Sequence, residues 1–239
     1  MSASHRPYPR VYPALYWGVR GLMRALVWLL TSRVVVEGAS HIPATGPFML
    51  ATNHLSYLDS PLMFVAVPRI MYFLAGEKYA SHLFFGLILR VGGAIFVQRG
   101  EVDRAALRQA SAALRDGNCL TVAVEGTRSK TGALIPGKTG AAYLATRENA
   151  LIVPAAIWGS EQIGPAWKKL QRARVHIRFG EPFRLPEGRA RAEALDAHTD
   201  EIMTTIAAML PEGYRGAYRD HPLLREKLSP ESLIGQSAL

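Results

Sequence analysis

A histidine and an aspartate five positions apart form the first pair in this sequence that could do chemistry. His54 and Asp59 follow an apolar run that ends at Thr52. Five steps turn a helix by about 140°, and an odd separation sends strand side chains to opposite faces, so the pair meets only if the chain turns between them. Ser60 and Pro61 are typical of an N-cap and a first helical residue, which predicts a helix from about Pro61. A histidine oriented by a carboxylate is the minimal general-base dyad; alternatively, both residues only shape a turn and a cap.

Other polar residues follow two further predicted strands, at 94–97 and 120–124. Ligands of open α/β sheets bind outside the carboxyl ends of the strands, so these residues are candidates for the same site. Arginine forks suit a phosphate monoester, a lysine adds a point charge, and a glycine lets the backbone approach a ligand. A glutamate and hydroxyl groups could bind a hydroxyl-bearing substrate or brace an arginine. The candidates are Arg99, Glu125, Gly126, Thr127, Arg128 and Lys138, each of which could instead be an ordinary surface or turn residue.

The elements that must position these residues alternate between short apolar runs and longer helical patterns. Strands are predicted at 33–37, 48–52, 70–74, 94–97, 120–124, 151–157 and 174–179, and helices at 61–67, 78–90, 103–115, 138–147 and 189–210. This alternation predicts an α/β fold with a mainly parallel sheet covered by helices on both faces. The polar, proline-containing segment after Tyr218 is expected to be a loose surface extension.

Residues 14–30 predict an amphipathic helix at the N-terminus. Leucines and a valine recur at helical spacing, and two arginines one turn apart argue against a membrane-spanning helix. Flanking tryptophans suit a membrane interface, where we expect contacts from Trp17, Arg20, Arg24 and Trp28. The alternative is a helix that packs on the protein's own core. We expect no cleavable signal peptide of ordinary form.

Composition narrows the functional classes. The single cysteine, Cys119, excludes an internal disulfide and a cysteine-rich zinc site, and it lies in a predicted buried strand. The net charge of +9 implies an anionic partner, but no nucleic-acid-binding motif is present. No histidine, cysteine and carboxylate cluster has the spacing of a metal site, and no dinucleotide loop, P-loop or serine elbow occurs. The sequence therefore predicts no metal and no nucleic acid.

Four short blocks in order resemble the glycerolipid acyltransferases, and most closely their lysophosphatidic acid acyltransferase branch. The blocks are Asn53-His54-x4-Asp59, residues 96–99 (Phe-Val-Gln-Arg), residues 125–129 (Glu-Gly-Thr-Arg-Ser) and residues 152–155 (Ile-Val-Pro-Ala). The likeness covers about residues 33–180, and the third block lacks the aromatic-proline pair that usually precedes it. Ala123 and Val124 stand there instead.

The resemblance implies transfer of a fatty acyl group from acyl-CoA or acyl-ACP to the free sn-2 hydroxyl of lysophosphatidic acid, without a cofactor. It implies His54 as the base, Asp59 as its orienting partner, and Arg99, Glu125 and Arg128 as contacts to the glycerol phosphate. We expect a membrane-anchoring segment (1–32), an acyltransferase domain (33–218) and a C-terminal tail (219–239), attached to the cytoplasmic face of the cell membrane. Acyl carrier protein is an expected partner if it supplies the acyl group.

Two alternatives remain open from the sequence. The same chemistry could act on a lyso-ornithine lipid, glycerol 3-phosphate or another lysophospholipid. The chain could also be a non-catalytic protein that binds anionic membranes through its basic surface.

Overall fold

The protein is built around one sheet. The structure is a computed structural model that describes residues 7–98, 103–188 and 191–229. The strands in these ranges are β1 (Thr31–Glu37), β2 (Phe48–Thr52), β3 (Met71–Gly76), β4 (Ala94–Val97), β5 (Cys119–Ala123), β6 (Ile152–Trp158) and β7 (Ala173–Phe179). They form a sheet in the order β1-β7-β6-β2-β5-β3-β4, in which only the β6–β7 pair is antiparallel. The predicted mainly parallel sheet is confirmed.

Helices cover both faces of this sheet, as predicted. They are α1 (Pro13–Leu30), α2 (Asp59–Ala66), α3 (Leu83–Val91), α4 (Arg104–Arg115), α5 (Gly140–Arg147), α6 (Ile163–Lys168), α7 (Ala192–Met209) and α8 (Pro222–Lys227). Alternate residues of β2 point to opposite faces. Met49 and Ala51 pack in a core with α4, α5, α7 and α8, whereas Phe48 and Leu50 pack in a second core with α1, α2 and α6.

Strand β2 carries the predicted histidine turn at its carboxyl end, and it lies in the middle of the sheet. All five of its residues are buried, because both faces are covered and parallel neighbours, β5 and β6, flank it. Thr52 at the end of β2 is in register with Ala123 of β5 and Ala155 of β6. The loops that follow these three strands therefore leave the sheet side by side.

Helix α1 packs on the sheet layer with one side and exposes the other. Tyr16 is fully buried, and its hydroxyl donates to the carbonyl of Arg69 (3.1 Å) and accepts from the amide of Met71 (3.2 Å). The guanidinium of Arg20 donates to the carbonyls of Phe64 (3.2 Å) and Val65 (2.6 Å), so it caps the last turn of α2. Arg20 was predicted to contact a membrane; in the structure its charged group faces the fold.

The outer side of α1 is apolar. Arg24 is exposed beside it, and exposed apolar side chains follow the helix from end to end: Leu15, Trp17, Leu22, Trp28 and Leu29. Within the described ranges, no helix combines the length and the apolarity needed to cross a bilayer. The alternative of packing on the core thus holds for one face of the helix; the other face is uncovered, and its contact with a membrane stays a prediction.

Several boundaries differ from the sequence expectation. Helix α2 begins at Asp59, so Ser60 is not its N-cap, because a turn from the Ser56 carbonyl to the Asp59 amide (3.2 Å) starts the helix earlier. Helix α3 begins at Leu83 rather than at residue 78, after a short 3-10 turn. Helices α6 and α8 were not predicted, since six residues are too few for a periodic pattern.

The expectation of a loose C-terminal extension is wrong for the part that the structure describes. Helix α8 packs on α7, and Leu224 is fully buried in the core with α4, α5 and α7. Residues 230–239 lie outside the described ranges. Cys119 is buried as predicted, and burial raises the pKa of its thiol to about 12.

Leu224→Ala tests whether this segment belongs to the folded domain. Removing a fully buried leucine side chain leaves a cavity, so we expect the free energy of unfolding to fall by about 2–5 kcal/mol in denaturant titrations. The exposed neighbour Arg225 provides the matched control, and Arg225→Ala should change it by less than about 0.5 kcal/mol. Equal small effects of both changes would show that the segment is loose after all.

Candidate active site

The carboxylate of Asp59 organises the turn after β2. Its Oδ2 accepts hydrogen bonds from His54 Nδ1 (2.9 Å) and from the backbone amides of Leu55 (2.6 Å) and Ser56 (2.7 Å). Its Oδ1 accepts from the hydroxyl of Ser160 (2.5 Å), which follows β6. Asp59 itself is only 3% exposed. Four donors therefore fix a buried carboxylate whose desolvation would otherwise be costly.

His54 is oriented by this carboxylate and remains accessible. An ionised Asp59 can only accept, so Nδ1 carries the proton and donates it, which leaves Nε2 as an unprotonated acceptor. The His54 side chain is 17% exposed, and Nε2 has no hydrogen-bond partner within the described ranges. This is the arrangement of a general base with an orienting acid. The predicted dyad thus forms across the turn.

The main chain of His54 is held from the next loop. Its amide donates to Oε2 of Glu125 (2.7 Å), and its carbonyl accepts from the amide of Ser129 (2.8 Å). The other carboxylate oxygen of Glu125 accepts from the amide of Ile135 (2.9 Å), and the side chain is fully buried. Both oxygens of Glu125 are therefore used within the protein. Glu125 therefore holds the backbone of His54 in place, whereas the resemblance implied that it contacts the substrate.

Burial raises the pKa of the Glu125 carboxyl from 4.5 to about 7, despite the two amide donors, and the nearby charge of Asp59 acts in the same direction. Asp59 and Glu125 approach the histidine turn from its two sides. Ionisation of Glu125, which would place a second negative charge in this region, is thus shifted from the acid range to near neutral pH.

Arg128 lies over an aromatic ring that belongs to the histidine turn. Its guanidinium carbon is 3.6 Å from the ring centroid of Tyr57, which is one of the four residues between His54 and Asp59. Hydrogen bonding to Arg128 and its positive charge lower the pKa of the Tyr57 hydroxyl. No carboxylate pairs with Arg128 in the described part of the chain. Stacking therefore orients a guanidinium that is free to bind an anion.

Lys138 approaches the same loop from the other side. Gly126 has a φ of +65°, which favours glycine, and a Cβ there would lie 2.8 Å from Cδ of Lys138, so the lysine stem would have to shift. The amide of Lys138 donates to the carbonyl of Val124 (2.8 Å), and its side chain is exposed. Thr127 is half-buried between these residues. The structure thus places the third block and Lys138 together.

Arg99 lies outside the described residues, so its predicted phosphate contact stays a prediction. The strand before it, β4, is at the edge of the sheet, separated from β2 by β5 and β3. Just after the gap, Asp103 accepts from the amides of Gln98 (3.0 Å) and of the first turn of α4.

Sequence reasoning missed three residues of this site. Ser160 supplies a donor to Asp59 from 101 positions away. Asn53 exchanges two hydrogen bonds with the backbone of Ile157 (2.8 and 2.9 Å), which ties the start of the turn to β6. Tyr57 orients Arg128. In the sequence, Asn53 lies inside the first block, and Ser160 lies a few residues after the fourth. This nearness to the blocks was the only sequence signal that either residue belongs to the site.

Comparisons with known proteins agree with the blocks. A profile described as Acyltransferase matches residues 33–158, more than half of the chain. A 1-acyl-sn-glycerol-3-phosphate acyltransferase of Borreliella burgdorferi is 27% identical over 147 residues, which are 59% of this chain and 58% of that protein. A protein of the same name from Cocos nucifera is 25% identical over 217 residues, 87% of this chain and 68% of that protein. The chain thus corresponds to only part of the length of these curated relatives.

A solved structure is similar as well. The crystal structure of the 1-acyl-sn-glycerophosphate (LPA) acyltransferase PlsC from Thermotoga maritima superposes with a TM-score of 0.62 at 26% sequence identity. The match covers 78% of this chain and 76% of that one. The likeness therefore extends to most of the fold and not only to the short blocks.

Ser160→Ala tests the anchoring of Asp59. One oxygen of a buried carboxylate loses its only donor in the described ranges, so we expect the free energy of unfolding to fall by about 1.5–3 kcal/mol. Ser60→Ala is the matched control: Ser60 is exposed and does not cap α2, so its loss should cost less than about 0.5 kcal/mol. A large effect at Ser60 with none at Ser160 would contradict the geometry.

Glu125→Gln tests the raised pKa through the pH dependence of stability. A carboxyl whose folded-state pKa lies above its unfolded value stabilises the fold at low pH, and this contribution is lost as pH rises from 4.5 through about 7. Relative to the non-ionising glutamine variant, the wild type should lose up to about 3 kcal/mol of unfolding free energy between pH 4.5 and 8. A difference between the two proteins that does not change with pH would show that the carboxyl is not perturbed.

Proposed function

The chain belongs to the Acyltransferase family, and from that membership we propose that it moves a fatty acyl group from an acyl thioester to the free sn-2 hydroxyl of lysophosphatidic acid, giving phosphatidic acid. One observation carries the proposal: a histidine whose Nδ1 is bound by a buried, fully satisfied carboxylate and whose Nε2 has no partner among the residues that the structure describes. The names of the relatives support the acceptor class. The acyl donor is acyl-CoA or acyl-ACP, and no cofactor is needed.

In the proposed reaction, the acceptor hydroxyl is itself the nucleophile. Nε2 of His54 takes its proton as the oxygen attacks the thioester carbonyl. The new ester C–O bond forms, the C–S bond breaks, and the leaving thiolate receives the proton from the imidazolium. Asp59 holds the tautomer throughout and stabilises the transient positive charge on the ring.

We assign recognition of the acceptor's phosphate to Arg128 and Lys138. Stacking on Tyr57 ties the guanidinium of Arg128 to the turn that carries the base, so a bound phosphate would lie near the reacting hydroxyl. Arg99 is proposed as a further contact, on the resemblance alone. Glu125 is proposed to position His54 rather than to bind the glycerol, because both of its oxygens already accept backbone hydrogen bonds.

We propose that the exposed side of α1 holds the protein at the cytoplasmic face of the cell membrane, where its lipid substrate resides. That side presents Trp17, Leu22 and Trp28, while Tyr16 and Arg20 fix the helix to the domain. An amphipathic helix with tryptophans on its apolar side lies in the membrane interface without spanning it. The net charge of +9 favours anionic lipid.

His54→Ala tests the proposed base. The purified protein is given acyl-CoA or acyl-ACP together with lysophosphatidic acid, glycerol 3-phosphate, lyso-ornithine lipid or a larger lysophospholipid, and free thiol is measured. We expect release with lysophosphatidic acid, lowered about 10²- to 10⁴-fold in the variant, which should still unfold in one cooperative transition although Asp59 loses one donor.

The matched control is Ser56→Ala, which changes the same turn without touching either the ring or the carboxylate side chain. Its turnover should stay within a few fold of the wild type. Thiol release that needs no acceptor would identify a thioesterase, and release with another lysolipid only would reassign the acceptor. No release under any condition would favour a non-catalytic membrane-binding protein.

A further inference from the structure

The turn between α6 and β7 contains a leucine whose side chain does not pack in the core. Leu170 is 97% exposed, and its φ of +56° lies in the left-handed region. The amide of Gln171 donates to the carbonyl of Ala166 (2.9 Å), which closes the end of α6 as a Schellman motif with Leu170 at the position that glycine normally takes. The left-handed conformation strains a leucine, and burial within the domain does not offset this strain, because the side chain is almost fully exposed.

The residues around Leu170 form a surface of mixed apolar and basic character. Trp167 is 46% exposed, and it lines a shallow cleft together with Leu170, Trp28 and Leu29. Lys168 and Lys169 are exposed and make no ion pair in the described ranges. We call residues 167–172 the α6–β7 turn.

The α6–β7 turn is continuous with the exposed side of α1. The guanidinium of Arg172 donates to the carbonyl of Trp28 and lies 5.4 Å from the centroid of its ring. Helices α1 and α6 pack in the same core on one face of the sheet. The C-terminal end of α1 and the α6–β7 turn therefore present tryptophans and leucines on one surface, with free cations beside them.

We propose that the α6–β7 turn is a second membrane contact, which inserts Leu170 and Trp167 into an anionic bilayer while Lys168 and Lys169 bind lipid headgroup phosphates. This inference rests on the membrane attachment in the proposed function. Aromatic and aliphatic tips beside lysines match the interface of an anionic leaflet, where rings and methyl groups enter the acyl boundary and cations stay at the headgroups. The exposed side of α1 is one membrane contact, and the α6–β7 turn beside its C-terminal end is a second. Together the two contacts fix the orientation of the domain on the membrane.

Leu170→Gly separates this role from a role in folding. Glycine adopts the left-handed conformation without strain, so the variant should unfold at the same temperature as the wild type or higher. Its affinity for vesicles of phosphatidylglycerol and phosphatidylethanolamine should nevertheless fall about three- to tenfold in sedimentation assays, because the inserted side chain is lost. Unchanged vesicle affinity would overturn the proposal.

Charge reversal supplies a matched pair. Lys168→Glu with Lys169→Glu should lower affinity for the same vesicles by about 30-fold or more, and neutral phosphatidylcholine vesicles should bind weakly throughout. Arg108→Glu with Arg225→Glu makes the same change in net charge on exposed residues of α4 and α8, which pack on the other face of the sheet. An equal loss in both double variants would mean that only total charge matters, and would overturn a specific contact.

Insertion can be observed directly. In the variant Leu170→Cys, an environment-sensitive dye is attached to the new thiol, and the buried Cys119 does not compete for it. The dye should shift to the blue on anionic vesicles and be quenched by brominated lipid, whereas the same dye on Ala197→Cys, exposed on α7, should do neither. Leu170-dependent dimerisation in solution without a dye response to vesicles would instead assign the surface to a second copy of the chain.

These measurements need no turnover, so they separate this inference from the proposed reaction. Acyl transfer to short-chain, monomeric substrates should be the same in wild type and Leu170→Gly. If the turn inserts into vesicles but no thiol is released, the proposed reaction is contradicted and the membrane contact is supported. If turnover is normal but the turn does not insert, the membrane contact is contradicted and the reaction is supported.

Discussion

The rest of the site depends on one buried carboxylate. Removing Asp59 from water costs several kcal/mol, and four donors at about 1.5–3 kcal/mol each offset that cost. Those donors come from the histidine ring, two amides of the turn and a hydroxyl beyond β6. The hydrogen bonds to this one carboxylate therefore stabilise the turn, orient the imidazole and connect the loops that follow β2 and β6.

The position of β2 explains why such an arrangement is possible. A strand buried on both faces and flanked by two parallel neighbours brings three loops together at its carboxyl end. The loop after β5 holds the backbone of His54 on both sides, and the loop after β6 holds Asp59. Rigid strands thus position the base, while Arg128 and Lys138 remain exposed enough to meet a charged ligand.

The pattern of residues predicted the sheet and the dyad because both depend on local signals. The apolar runs predicted both ends of β2 and of β4 at the correct residues. The odd spacing of His54 and Asp59 required a turn between them. The roles of Glu125 and Ser160 were not predictable, since each is set by partners 71 and 101 positions away. The start of α2 was misplaced because Ser60 and Pro61 imitate a cap, whereas the Ser56–Asp59 turn starts the helix.

The central claim is that His54 activates the acceptor and that no side chain of the protein carries the acyl group. A single-turnover reaction with excess enzyme, quenched and analysed by intact mass together with thiol release, tests it directly. The account predicts thiol release only when lysophosphatidic acid is present, with phosphatidic acid formed in equal amount and no mass added to the protein. A burst of thiol without acceptor, together with an acylated protein, would contradict it.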